Sequence, residues 1–97
     1  MAAPRKIVLV STQGYKRELD ALVAGWIEEG IKYVGVIGAD ASRLEDIIDD
    51  LCIGAGTDPY FMLTASHGDD ETVEDAVLLA SQLTEEVGDG PVEVVKL

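Results

Sequence analysis

Residues 60–76 read YFMLTASHGDDETVEDA, and the pattern of these residues indicates the fold class of the chain. Its first six residues are mostly apolar, which predicts a buried strand. The segment from Ser66 to Thr72 is polar and predicts a turn, and apolar residues then recur at helical spacing from Val73, which predicts a helix. A strand that passes through a polar turn into a helix is the repeating unit of an α/β protein, so we expect the same alternation elsewhere in the chain.

The alternation is found on both sides of this stretch. Ile7 to Val10 form an unbroken apolar run, which is typical of a strand covered on both faces. The last predicted strand, residues 92–97, carries Glu93 and Lys96, and such charges suit the edge of a sheet. The four predicted strands are residues 5–12, 32–39, 60–65 and 92–97, and a helix is predicted between each of them and the next.

The order strand, helix, strand, helix, strand, helix, strand predicts the α/β class. We expect three layers, α/β/α, around a four-stranded parallel sheet, because parallel strands need crossover helices that cover both faces. Right-handed crossovers favour the flavodoxin-like strand order 2-1-3-4, in which the first and third strands are central. A chain of 97 residues has the usual size of one domain, here residues 1–97.

The charge of the chain restricts its partners. Nineteen Asp and Glu residues against seven Lys and Arg residues give a formal net charge of −12. A surface this acidic repels phosphate backbones and anionic membranes, so neither nucleic acid nor a membrane is an expected partner. Two interpretations are open: the charge keeps a monomer or weak homodimer soluble, or it complements a basic protein partner.

The chain is expected to be cytoplasmic. Its one cysteine, Cys52, cannot form an internal disulfide and lies on the apolar stripe of the second helix, as a buried structural thiol does. The apolar run from Ile7 to Val10 is too short for the core of a signal peptide or for a membrane-spanning helix.

A ligand-binding cleft is expected at the carboxyl ends of the strands, where the strand order reverses. In the order 2-1-3-4 this point lies between the first and third strands, and polar residues follow both of them. Asp40, which leaves the second strand, borders the same place. A small molecule is therefore an alternative to a protein partner. The predicted ligand-binding residues are Ser11, Thr12, Gln13, Gly14, Asp40, Ser66 and His67.

The turn His67-Gly68-Asp69-Asp70-Glu71-Thr72 contains the only histidine of the chain. It resembles the His-Pro-Asp-Asp-Glu-Thr motif of the LmbE-type zinc-dependent sugar deacetylases, with glycine in place of proline. The resemblance covers six residues and implies that His67 and Asp70 bind zinc and that Asp69 is the general base. A catalytic zinc takes about three protein ligands. Without a second histidine the third ligand would have to be a carboxylate such as Asp40, and we predict no cofactor.

The same polar turns also have a structural interpretation as helix caps. Asp69 or Asp70 is predicted to cap the third helix, because carboxylates interact favourably with the positive end of a helix. Asp40 or Ser42 is predicted to cap the second helix, and Glu45 stands three residues after Ser42, which is the spacing of a capping box.

The leading functional prediction is a non-enzymatic binding or regulatory domain, because the chain lacks a complete catalytic set. The first alternative is a small hydrolase, with or without a metal, that uses His67, Asp69 and Asp70. The second is an acidic inhibitor or immunity-type protein that occupies the basic cleft of a nuclease. The best local acidic cluster for that role is Glu45, Asp46, Asp49 and Asp50. The whole-chain pattern resembles small bacterial α/β domains of unknown function, a resemblance that implies no activity.

Overall fold

The computed structural model describes residues 4–54, 59–85 and 87–97. Strands and helices alternate along these residues, as the sequence predicts. The strands are β1 (Lys6–Ser11), β2 (Tyr33–Gly38), β3 (Leu63–Ser66) and β4 (Val92–Lys96), and the helices are α1 (Glu18–Glu29), α2 (Ala41–Ile53) and α3 (Val73–Gln82). No helix among the described residues is long and apolar enough to cross a membrane.

The strands form one parallel sheet in the order β3-β2-β1-β4. The predicted α/β class with a four-stranded parallel sheet is confirmed, but the predicted flavodoxin-like order 2-1-3-4 is wrong. β2 lies beside β1, so β1 and β2 are central and β3 is an edge strand. Burial explains the difference: Tyr33 to Ile37 of β2 are all buried, whereas none of the four residues of β3 is.

The crossovers place helices on both faces of the sheet, which gives the three predicted layers. β1, β2 and β3 follow one another across the sheet, so right-handed crossovers put α1 and α2 on the same face. The chain then returns past β1 to β4, and α3 covers the opposite face. Leu9 and Val36 pack in the core under α1 and α2, whereas Val8 and Tyr33 pack in the core under α3.

A capping box begins α3. The hydroxyl of Thr72 accepts a hydrogen bond from Asp75 N (3.1 Å), and the Asp75 carboxylate accepts one from Thr72 N (3.0 Å). The prediction that Asp69 or Asp70 caps this helix is wrong. Both belong to a separate turn, which a hydrogen bond from Glu71 N to the oxygen of Gly68 closes before the helix begins.

Asp40 is the N-cap of α2, one of the two predicted positions. Its backbone is left-handed, with φ of 54°, and no side chain among the described residues bonds to the cap. The predicted capping box of Ser42 and Glu45 is wrong, because α2 begins at Ala41 and Ser42 lies inside it. Glu45 instead accepts a hydrogen bond from Thr64 of β3 (3.1 Å).

The carboxyl ends of β1 and β2 approach each other closely. Gly38 has φ of 106°, and a Cβ at this position would collide with the carbonyl oxygen of Ser11. The same oxygen accepts a hydrogen bond from Ala39 N (2.9 Å). This end of the sheet is therefore closed between β1 and β2, and the open space lies between the ends of β2 and β3.

Candidate functional site

His67 is fixed at the end of β3 by two contacts. Its backbone N donates to the oxygen of Val36 in β2 (2.9 Å), and its ring Nδ1 lies 2.6 Å from Oε2 of Glu71. The other oxygen of Glu71 accepts a hydrogen bond from Gly68 N (3.3 Å). The hydrogen bond from His67 and then that from Gly68 hold the pKa of Glu71 below its ordinary value. Glu71 therefore closes the turn around the histidine.

The second ring nitrogen of His67 is buried beside another polar atom. A Cβ on Gly35 would lie 2.8 Å from Oη of Tyr33 and 3.3 Å from Nε2 of His67, so both atoms surround this glycine. Neither atom has a hydrogen-bond partner among the described residues. Burial raises the pKa of Tyr33, which keeps the phenol protonated. Because an ionised Glu71 carboxylate only accepts, Nδ1 of His67 donates to it, and Nε2 lies beside the same glycine as the phenol oxygen.

An open cleft of about 570 Å³ lies above the carboxyl ends of β2 and β3, at the start of α2. Its walls are mainly polar: they present hydroxyls, three carboxylates and one guanidinium. The lining residues are Gly38, Asp40, Ala41, Ser42, Arg43, Asp46, Ser66, His67, Gly68 and Asp69. Of the predicted site residues, Asp40, Ser66, His67 and Asp69 are therefore brought together.

The residues that follow β1 are not part of this cleft, because β2 separates β1 from β3. The hydroxyl of Ser11 accepts a hydrogen bond from Gly14 N (3.0 Å), and Thr12 donates to the oxygen of Leu97 (3.0 Å). Gln13 is exposed in the same loop. The predicted juxtaposition of residues 11–14 with residues 66–70 thus fails for the same reason as the predicted strand order.

The turn does not fit the zinc site that the LmbE-type resemblance implies. Nδ1 of His67 is taken by Glu71, and Nε2 is buried at Gly35. Among residues 4–54, 59–85 and 87–97, no three His, Cys, Asp or Glu side chains are grouped so that they could hold a metal ion. Asp70 lies outside the lining of the cleft, close to Gly68.

Two contacts of the site are not predicted from the sequence. One is that of Glu71 with His67, although a spacing of four residues would suggest contact on a helix. Tyr33 gave no signal, because its strand is distant in the chain and any aromatic residue there fits a core. Cys52 is buried, as predicted, and burial raises the pKa of its thiol.

Negative charge is concentrated around β3. Residues 40–75 contain eleven of the nineteen acidic residues and one of the seven basic ones, Arg43. This segment, which contains α2, β3 and the start of α3, therefore carries ten of the twelve net negative charges. Near the β4 edge, by contrast, one basic residue pairs with two carboxylates: Arg5 bonds to Glu29 (2.7 Å) and also contacts Glu93.

Two carboxylates of α2 converge on one hydroxyl of β3. Oγ1 of Thr64 lies 3.1 Å from Oε2 of Glu45 and 2.9 Å from Oδ1 of Asp49. A hydroxyl has one hydrogen to donate, so it serves only one of the two at a time. Within the part of the chain that the structure describes, neither carboxylate has an ion-pair partner. β3 is thus flanked by negative charge without compensation.

Comparison with protein families identifies the family of the chain. A family model described as a domain of unknown function (DUF7684) matches residues 2–96. No curated protein and no solved structure matches the chain. The expectation of a small α/β domain of unknown function is confirmed, and the chain belongs to the DUF7684 family.

Proposed function

We propose that this chain is a non-enzymatic binding module that recognises a basic segment of a protein partner. The binding surface is β3 together with Glu45, Asp46, Asp49 and Asp69, and we call it the acidic edge. One observation carries the proposal: residues 40–75 hold ten of the twelve net negative charges, with Arg43 as their one basic residue.

The arrangement of the carboxylates supports a cationic ligand. Glu45 and Asp49 share the hydroxyl of Thr64, so their charges repel each other in the free protein. A lysine or arginine placed between them relieves this repulsion as well as adding attraction. One exposed ion pair contributes only about 0–1 kcal/mol. Several pairs are therefore needed, and the binding has to be sensitive to salt.

The cleft supports the same proposal. Asp40, Asp46 and Asp69 line it, and it continues from the acidic edge through Ser66 at the end of β3. A volume of about 570 Å³ accommodates a long cationic side chain. An acidic inhibitor or immunity-type protein is one form of this function, since its target presents a basic surface.

Catalysis by His67 has less support. A general base has to reach its substrate within hydrogen-bond distance, and Nε2 of His67 is buried at Gly35, where the phenol oxygen of Tyr33 also lies. The hydrolase alternative also named Asp69 and Asp70, whereas the carboxylate that contacts the ring is that of Glu71.

The proposal is tested with an eight-residue peptide of alternating lysine and valine, labelled with a fluorophore at one end. Fluorescence anisotropy at about 20 mM and about 200 mM salt measures its Kd, since screening separates these two conditions. We expect binding at low salt that weakens at least tenfold at the higher salt. A peptide with glutamate in place of lysine is expected not to bind.

Matched variants locate the binding surface. Glu45→Gln with Asp49→Asn removes two charges from the acidic edge and is expected to weaken peptide binding about tenfold, the loss of roughly 1.4 kcal/mol. Glu18→Gln with Glu28→Gln removes two exposed charges from α1 and is expected to change Kd less than twofold. If the two double variants change Kd equally, or if the peptide does not bind at low salt, the proposed function is overturned.

A further inference from the structure

We infer that the partner segment binds as an extended strand that pairs with the open edge of β3, and that basic and apolar residues alternate along it. This inference rests on the proposed function, because it specifies how the acidic edge holds its ligand. It goes further by naming the conformation and the residue pattern of the partner.

The main chain of β3 has hydrogen-bonding groups directed away from the sheet. Leu63 N donates to the oxygen of Lys32 (2.8 Å), and His67 N donates to that of Val36 (2.9 Å), so these two residues face β2. Backbone groups alternate in direction along a strand. Thr64 and Ser66 therefore direct their N–H and C=O groups towards the open edge, where they can pair with another strand.

In the part of the chain that the structure describes, β3 lacks the usual features that prevent such pairing. Proteins protect edge strands with lysine or proline in the strand, with bulges, or by covering the edge. Residues 60–66 contain neither a charged residue nor a proline. Phe61, which directly precedes the strand, has 62 % of its surface exposed. Among the described residues, pairing of another strand with β3 is therefore restricted only by the short length of β3 and by the carboxylates around it.

The charge around β3 selects the strand that can pair with it. A second copy of this chain would place its own Glu45 and Asp49 near those of the first copy, and like charges at such an interface are unfavourable. A basic strand would instead be attracted by these carboxylates. The occupant that fits is therefore a cationic segment of another protein and not a second copy.

The alternation follows from the two faces of the sheet. The side chain of Thr64 contacts Glu45 and Asp49 of α2, whereas Leu63 and Ala65 pack with the core under α3. In a strand added beside β3, successive side chains alternate between the same two faces. Those on the α2 face meet carboxylates and need positive charge, and those on the α3 face extend an apolar surface.

Two peptide comparisons test this inference. The alternating lysine–valine peptide is compared with a block peptide of four lysines followed by four valines, which has the same composition and charge. We expect the alternating peptide to bind about tenfold more tightly at low salt, since only it presents one charged and one apolar face to β3. Equal affinities would overturn the alternation.

The second comparison uses N-methylated forms of the alternating peptide. One form is methylated on all lysine amides and the other on all valine amides, so each blocks one edge of the peptide strand. Pairing with β3 uses one edge only, so we expect one form to lose at least tenfold in affinity and the other to bind as well as the parent. Equal behaviour of the two forms would overturn strand pairing.

Amide hydrogen exchange of the complex provides a direct readout. The amides of Thr64 and Ser66 are expected to exchange more slowly when the alternating peptide is bound, while those of Leu63 and His67, already bonded to β2, change little. Salt-sensitive binding without this protection would overturn strand pairing and leave the proposed function standing. Absence of binding by any basic peptide would overturn both.

Discussion

The two edges of the sheet are built differently. β4 carries charges of both signs, Glu93 and Lys96, and Glu93 is in contact with Arg5. β3 carries no charge within the strand, and the carboxylates that flank it are all negative. Charges within an edge strand discourage pairing with any other chain. β4 is therefore a protected edge, whereas β3 is the edge at which we propose that a basic strand binds.

If the proposal is correct, position in the sheet alone does not make a binding surface. Both strands are short, and each pairs with only one other strand among the residues that the structure describes. What differs is where the charge lies: in the strand itself at β4, and on the neighbouring helix and turn at β3. The difference predicts that changes of charge near β3 alter binding, whereas changes near β4 alter mainly stability.

Reversal of charge at the acidic edge is expected to have the largest effect. Glu45→Lys with Asp49→Lys replaces attraction with repulsion, and we expect the lysine–valine peptide to lose about a hundredfold or more in affinity, roughly 2.7 kcal/mol. Fluorescence anisotropy at low salt measures it. The control, Glu18→Lys with Glu28→Lys on α1, makes the same change in net charge. If the control weakens binding as much, overall charge and not the acidic edge attracts the peptide.

Introduction of a lysine into β3 is expected to make this edge resemble β4. Ser66→Lys places a positive charge at the exposed end of the strand, and we expect binding to weaken about tenfold, roughly 1.4 kcal/mol. Stability should change by no more than about 0.5 kcal/mol, since the position is exposed. The reciprocal variant, Lys96→Ser in β4, should leave peptide affinity unchanged. A gain in affinity in Lys96→Ser would show that the peptide uses the β4 edge.

The alternation of elements and one edge of the sheet were predictable from the sequence. Unbroken apolar runs and helical periodicity are local properties, and the charges of β4 marked it as an edge. The edge position of β3 was not predictable, because the apolar residues Tyr60, Phe61 and Met62 make the predicted strand longer than the observed one. In the structure these three residues precede the strand. Tyr60 donates to the oxygen of Ile31 (2.6 Å), Met62 is buried and Phe61 is exposed. No local pattern separates these three roles.

The candidate site was predictable only in part. Asp40, Ser66 and His67 meet in the cleft because carboxyl ends of parallel strands lie at the same edge, a rule that holds for any strand order. The contact between His67 and Glu71 depends on the geometry of one turn, and the approach of Tyr33 depends on which strand lies next to β3. The first is a detail of local backbone geometry and the second is a tertiary contact, and residue types alone encode neither.

Removal of Arg5 is expected to have a modest effect on stability and none on binding. Its guanidinium joins Glu29 of α1 to Glu93 of β4. Such partly exposed ion pairs are worth about 0–1 kcal/mol, so Arg5→Met should lower the free energy of unfolding by no more than about 1 kcal/mol, less at high salt. Urea denaturation at two salt concentrations measures it. A tenfold loss of peptide affinity in this variant would contradict the prediction that changes near β4 alter stability and not binding.

The smallest expected effect concerns the end of β3. The hydrogen bond from His67 lowers the pKa of Glu71 from its ordinary value of 4.5. A lowered pKa in the folded state means that the contribution to stability is present above pH 4.5 and is lost as the pH falls through the folded pKa. Glu71→Gln should therefore be less stable than the parent at pH 7, and the difference should shrink on acidification. Thermal unfolding from pH 7 to pH 3 measures it, and a difference that grows on acidification would contradict the assigned contact.

The most direct test of the proposed binding surface is a nuclear magnetic resonance titration of isotope-labelled protein with the alternating lysine–valine peptide at low salt. We expect the amide signals of β3 and of the α2 segment from Glu45 to Asp49 to shift together and saturate, while those of α1 and β4 stay in place. Shifts spread evenly over the acidic residues of every helix, or centred on β4, would contradict a binding surface at the acidic edge.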